Sequence, residues 1–211
     1  MAERKPNSAK RAQILGAATT VFSARDFHTV TVDDVAAAAR VGKGTLYLYF
    51  PTKEHLFYAT VLEALDVLLS ELAAATRSRD GEDGLRAFVG CLLDFFWRRR
   101  HLVVLMHRYE HKLRDPQSVE WHTRRNRMVM LARSLIQREA RAGGLGAQDV
   151  TLAAEMLLAL VRAAVLSHQE RDRPQHVARL VVNLFLRGLT GTRRLTASRG
   201  AKPVRAAGGR A

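Results

Sequence analysis

Apolar residues recur at helical spacing along almost the whole chain. Ile14, Ala17, Ala18, Val21 and Phe22 share one face of a helix expected over about residues 9–25, with Ser8 as its cap. A second helix starts behind Thr31, a suitable N-cap, with Asp33 and Asp34 in the first turn where the helix dipole favours acids. Val41-Gly42 reads as a turn, and a short third helix covers about 43–50. Pro51 interrupts it, and Thr52 can cap a long helix over about 53–76. A polar connector at 77–84 leads to a helix with Leu85, Phe88, Val89, Leu92, Phe95 and Phe96 on one broad face, closed by Arg98-Arg99-Arg100. Further helices are expected over about 101–114, over 119–142, from Asp149 as cap to about 168, and from about 171 to 192. No convincing run of alternating β-branched residues marks a strand, and no internal repeat is present. The pattern predicts an all-α fold of about nine helices. It divides into residues 1–52, residues 53–195, and a tail from 196 to 211 that lacks periodicity and reads as disordered.

The informative segment runs from Thr31 to Lys53. Val35, Ala36 and Ala39 give its first helix a small face that allows close crossing. A tight turn follows, then a helix too short to stand alone, which is helix-turn-helix geometry with the second helix suited to the major groove. The residue types suit that task. Lys43 can reach a base edge or a phosphate, and Gly44 removes a side chain where backbone meets DNA. Thr45 offers a hydroxyl and a methyl for thymine. Tyr47 and Tyr49, two residues apart, diverge by about 200° and address opposite walls of the groove. Leu48 lies between them, while Leu46 and Phe50 share a face that locks the helix to the core. Lys53 and Thr31, at other helix starts, are placed for phosphates.

Residues 8 to 62 resemble the DNA-binding domain of the TetR family of transcriptional repressors. The resemblance is carried by Gly44-Thr45-Leu46-Tyr47-Leu48-Tyr49-Phe50 and Lys53-Glu54-His55-Leu56, after a Thr-capped helix and turn. It implies a helix-turn-helix DNA-binding domain over 1–52 and a helical ligand-binding and dimerisation domain over 53–195. Two positions depart from the family pattern: Arg40 stands where Gly is usual, and Gly42 where Ser is usual. A left-handed Arg40 would cost on the order of 1 kcal/mol. Gly42 as N-cap costs only about a few tenths and leaves no hydroxyl there for a phosphate.

The resemblance also implies an inducer pocket and a homodimer. Phe88, Leu92, Phe95, Phe96, Leu105, Met106, Tyr109, Trp121, Met128, Met156 and Leu160 are the candidate lining for a small lipophilic ligand. Arg124-Arg125-Asn-Arg127 could add attraction for an acidic group, as in an acyl-CoA. Leu157, Val161, Ala164, Val177, Leu180, Val181, Leu184, Phe185 and Gly188 are the candidate dimer face, a four-helix bundle across a two-fold axis that predicts a palindromic operator. No catalytic residue, cofactor or metal is expected, and the chain is read as a regulator, not an enzyme. The alternative rests on His107, Glu110 and His111, which match His-x-x-Glu-His and would make a metal-dependent hydrolase or metal sensor.

Composition sharpens this picture. Hydrophobic residues make up 47% of the 211, enough to bury a core. The single cysteine excludes an internal disulfide and suits a reducing cytoplasm. The polar start of the chain carries no apolar signal segment, and the longest stretch free of charge, Ala12 to Ala24, is too short to span a bilayer. A cytoplasmic location without membrane partnership is the expectation. The net charge of +14 favours an anionic partner, with DNA ahead of a membrane surface. Residues 1–60 nevertheless hold only eight basic against five acidic side chains. The argument for DNA therefore rests on Thr31 to Lys53, not on bulk charge.

Overall fold

The computed structural model describes residues 7–99, 119–140, 147–167 and 173–199. Among them are eight helices and no strand: α1 (Ser8–Ala24), α2 (Val32–Ala38), α3 (Lys43–Tyr49), α4 (Lys53–Thr76), α5 (Gly81–Trp97), α6 (Val119–Ala140), α7 (Ala147–Leu166) and α8 (Pro174–Arg199). The architecture is all-α, as the periodicity predicts. The helix expected over 101–114 lies outside the described residues.

Local chemistry sets the boundaries. Asn7 caps α1, its side chain accepting from the amides of Ala9 and Lys10, so Ser8 is the first helical residue and not the cap. Thr31 caps α2 in a reciprocal box: its hydroxyl accepts from the Asp34 amide, and the Asp34 carboxylate accepts from the Thr31 amide at 2.7 Å. α2 ends in a Schellman motif. The Val41 amide donates to Ala36 and the Arg40 amide to Ala37, both at 3.0 Å. This motif places Arg40 at φ 51°, the left-handed position where the family pattern has glycine. Thr52 caps α4 by accepting from the His55 amide. Asp149 lies inside the first turn of α7, where it meets the helix dipole, and does not cap it. α8 continues to Arg199, past the expected tail boundary at 195; residues 200–211 lie outside the described set.

Packing joins these pieces around one core. Ile14, Leu15, Ala18 and Phe22 of α1 face inward. Phe22, Phe27 and Phe57 meet ring to ring at 5.2–5.8 Å, fastening α1 and the following turn to α4. α5 is the central helix of the larger part, packing against α4, α6, α7 and α8. Its buried Leu85, Phe88, Val89, Leu92, Leu93 and Phe95 fill that position. Gly84 is needed there, since a Cβ would come within 2.9 Å of Leu135 and 3.0 Å of the Arg79 carbonyl. Two carboxylate forks brace the outside. Arg124 grips Asp66 at 2.7 and 3.0 Å, joining α6 to α4, and Arg125 grips Glu155 at 2.5 and 2.9 Å, joining α6 to α7. No described helix is long and apolar enough to cross a membrane.

Hydrogen bonds from Thr31, then the Arg25 charge, hold the Asp34 carboxyl below its ordinary value of 3.8. A lowered native pKa contributes stability above the ordinary value and loses it as pH falls through the native one. Thr31→Ala removes the cap hydroxyl and should lower unfolding stability by about 1 kcal/mol at neutral pH. In urea titrations the part of that deficit owed to the lost hydroxyl–carboxylate bond should shrink as the pH falls below 3.8, while the bond from the residue 31 amide persists.

Candidate nucleic-acid interface

α3 has seven residues, and packing divides it into two sides. Leu46 is fully buried and Phe50, its C-cap, is nearly so. At 100° per residue Gly44 and Leu48 lie on the line opposite Leu46 and Phe50, and Lys43 and Tyr47 lie on a line that flanks the buried pair. All four are exposed, Tyr47 by 41% and Leu48 by 80%, while Thr45 and Tyr49 are half-buried at the edges. The side turned to solvent thus offers a cation, a phenol, a bare backbone position and an apolar knob.

Each neighbour is held by a specific contact. The Lys43 ammonium donates to the Asp33 carboxylate at 2.8 Å, an ion pair that spans the turn between α2 and α3. That hydrogen bond, with the Asp33 charge behind it, raises the Lys43 pKa above its ordinary value. The Tyr49 hydroxyl accepts the Asn7 amide at 2.9 Å, tying the start of α1 to the end of α3 and leaving the O–H to donate outward. The Gln13 amide donates to the Ala39 carbonyl at 2.7 Å, so α1 also holds the turn. Lys53 sits over the Phe27 ring at 4.2 Å, which fixes its ammonium at the start of α4. The Thr31 hydroxyl is already committed, donating to Asp34 at 2.8 Å and accepting from the Asp34 amide. Its contribution is therefore to set α2, and a phosphate would have to compete with Asp34 for its hydrogen.

Gly44 has no structural reason to be glycine. Its φ is ordinary, and a Cβ there would meet nothing within 4 Å. A helical glycine costs about 0.5–1 kcal/mol relative to alanine. The empty space lies on the solvent side, beside Leu48.

The larger part corrects several expectations. Phe88, Leu92 and Phe95 are buried, and Phe96, Trp121 and Met128 are half-buried against the same core. Met156 and Leu160 line no interior: they are exposed by 56% and 39% on the outer side of α7. In the expected dimer set, Leu157, Val161, Val181 and Phe185 are buried within the chain's own core. Ala164 and Val177 are half-buried, and only Leu180, Leu184 and Gly188 are exposed. Leu152, exposed by 62%, extends the outer line of Met156 and Leu160 at the spacing 152, 156, 160 and lies outside the expected set. Arg124 and Arg125 are paired with Asp66 and Glu155 and so are not open anchors for an acid. A surface groove of about 370 Å³ lies between α5 and α8, lined by residues including Arg79, Asp83, Arg86 and Arg179, none of them in the expected pocket. Leu105, Met106, Tyr109 and the His107, Glu110, His111 group lie outside the described residues.

Known proteins resemble both parts of the chain. The model of bacterial regulatory proteins of the tetR family matches residues 14–60, and that of tetracyclin repressor-like C-terminal domains matches residues 78–189. The HTH-type transcriptional activator FasR of Mycolicibacterium smegmatis is 37% identical over 93 residues, 44% of this chain and 42% of that protein. The HTH-type transcriptional regulator RutR of Escherichia coli K12 is 42% identical over 67 residues, 32% of each. The chain thus spans less than half the length of these two curated relatives. The solved structure of the TetR family transcriptional regulator PfmR from Thermus thermophilus superposes with a TM-score of 0.67 at 26% identity, covering 82% of this chain and 97% of that one.

Replacing Gly44 separates folding from binding. Gly44→Ala should raise the unfolding stability by about 0.5–1 kcal/mol while weakening binding to duplex DNA. Denaturant titration and fluorescence anisotropy on the same preparation read the two effects; parallel changes of one sign would refute the assignment.

Proposed function

The chain belongs to the TetR family of bacterial regulatory proteins, and we propose that it is a dimeric, ligand-responsive transcriptional repressor acting on a palindromic operator. The observation that carries this reading is the solvent side of α3, where Lys43, Gly44, Tyr47 and Leu48 stand exposed above a helix locked from behind by Leu46 and Phe50. In the proposed complex α3 lies in the major groove. Lys43, Tyr47, Tyr49 and Lys53 reach phosphates at its walls, Thr45 and Leu48 meet base edges, and Thr31 sets the angle of α2.

The exposed apolar residues support a second copy as partner. Leu152, Met156 and Leu160 on α7 and Leu180 and Leu184 on α8 are large side chains left in water. A Cβ at Gly188 would meet nothing within 4 Å, which suits a neighbouring backbone at close range. Two copies of α7 and α8 around a two-fold axis form the four-helix interface, and the two α3 helices then address half-sites about 34–36 Å apart.

The proposed ligand is small and lipophilic, held by the aromatic side of α5 with Trp121 and Met128 of α6. α4 would carry its effect. Lys53 at one end packs on Phe27, near α3, and Asp66 further along is gripped by Arg124 of α6. A ligand that prefers a different α4 position shifts the dimer away from the geometry that fits DNA.

The full chain should bind DNA from upstream of its own gene in an electrophoretic shift assay, with affinity falling steeply as salt rises from about 50 to about 200 mM. Leu184→Glu should sediment as a monomer and lose operator affinity by at least about tenfold, because each half-site then binds alone. No shift at low salt, or a Leu184→Glu protein that stays dimeric, would overturn the respective claim. A promoter–reporter fusion reads the sign of regulation: reporter output that falls when the chain is present supports repression.

A further inference from the structure

We infer that Leu48 reads the 5-methyl group of a thymine, so that the Gly44–Leu48 line of α3 selects a thymine in each operator half-site. The inference rests on the DNA-binding reading above and adds a base identity to it. Leu48 is exposed by 80%, more than any other large apolar side chain among the described residues. The fold makes no use of it, because Leu46 and Phe50 already anchor α3 from the other side.

The division of the solvent side points to what Leu48 meets. Lys43 and Tyr47 carry the polar side-chain groups of that side, on the adjacent line. Gly44 and Leu48 carry no side-chain donor or acceptor. Their line therefore has no side chain to hydrogen-bond the guanine, adenine or cytosine edges. The apolar group that B-DNA presents in its major groove is the thymine methyl. The open space at Gly44, one turn before Leu48, lets the helix come close enough for a contact only one methyl deep. Thr45, the residue expected from its methyl group to make this contact, is half-buried at the edge and presents less surface than Leu48.

Burying one methyl group is worth about fourfold in affinity. The test starts from a randomised duplex library, from which the full-length chain selects its sites. The selected duplex is then remade with uracil in place of each thymine in turn, an exchange that removes only the methyl. The expected result is one thymine per half-site whose exchange weakens the wild-type chain about fourfold. Leu48→Ala should bind the thymine and uracil duplexes equally. Because Leu48 stands in solvent, Leu48→Ala should keep the wild-type thermal midpoint, so a loss of binding is not a loss of fold. Wild-type indifference to every exchange, or a Leu48→Ala protein that retains the same fourfold preference, overturns the inference and leaves DNA binding intact. Failure to enrich any duplex overturns the DNA-binding reading itself.

Discussion

Seven residues are too few for an isolated helix to persist in water, so α3 depends on burial for its existence. Leu46 and Phe50 provide it, sunk into the core formed with α1 and α2. Everything else about the candidate interface follows from that anchorage. It decides which side of α3 is wet, and it makes α2, the Arg40 turn and the first turns of α1 part of one rigid mount. The Gln13 bond to Ala39 and the Tyr49 bond to Asn7 add orientation, which burial alone does not fix.

α4 is the element through which the two parts are mechanically continuous. Its Lys53 and Phe57 belong to the aromatic cluster beneath α1, while Leu65, Leu68 and Leu72 belong to the core shared with α5 and α6. The Asp66–Arg124 fork lies within the second set and ties the helix to α6 at that point of its length. In the proposed ligand response, a helix clamped partway along would transmit displacement as rotation, so a small movement at one end would become a movement of the mount at the other.

The region from Thr31 to Lys53 was legible because its signals are local. A cap, two acids behind it, a short turn and a proline act within a few residues, whatever packs above them. The same locality marks the Arg40 conformation in the sequence itself, since the left-handed site of a helix end falls at a fixed offset. Elsewhere the sequence underdetermines the answer. Leu157 and Met156 are both apolar neighbours on α7, yet one is in the core and the other in water. Apolar character alone does not separate an inward stripe from one awaiting a partner, and only the direction of packing does. The cap of α1 falls at Asn7 for a similar reason: Asn7 and Ser8 are both good caps, and the choice depends on where the chain enters.

The pairing of Lys43 with Asp33 has a consequence for how this surface exchanges ions. Lys43 does not face solvent as a bare cation; it carries its own fixed counter-charge 2.8 Å away. In the proposed complex, a phosphate that takes the ammonium would displace a tethered carboxylate that cannot diffuse off. The entropy of releasing a mobile ion from the protein would then be forgone at this position, and the carboxylate left behind would repel the duplex. In that complex Lys43 would contribute less affinity than an unpaired lysine, and contact there would depend more strongly on whether the groove geometry lets Asp33 keep part of its hold.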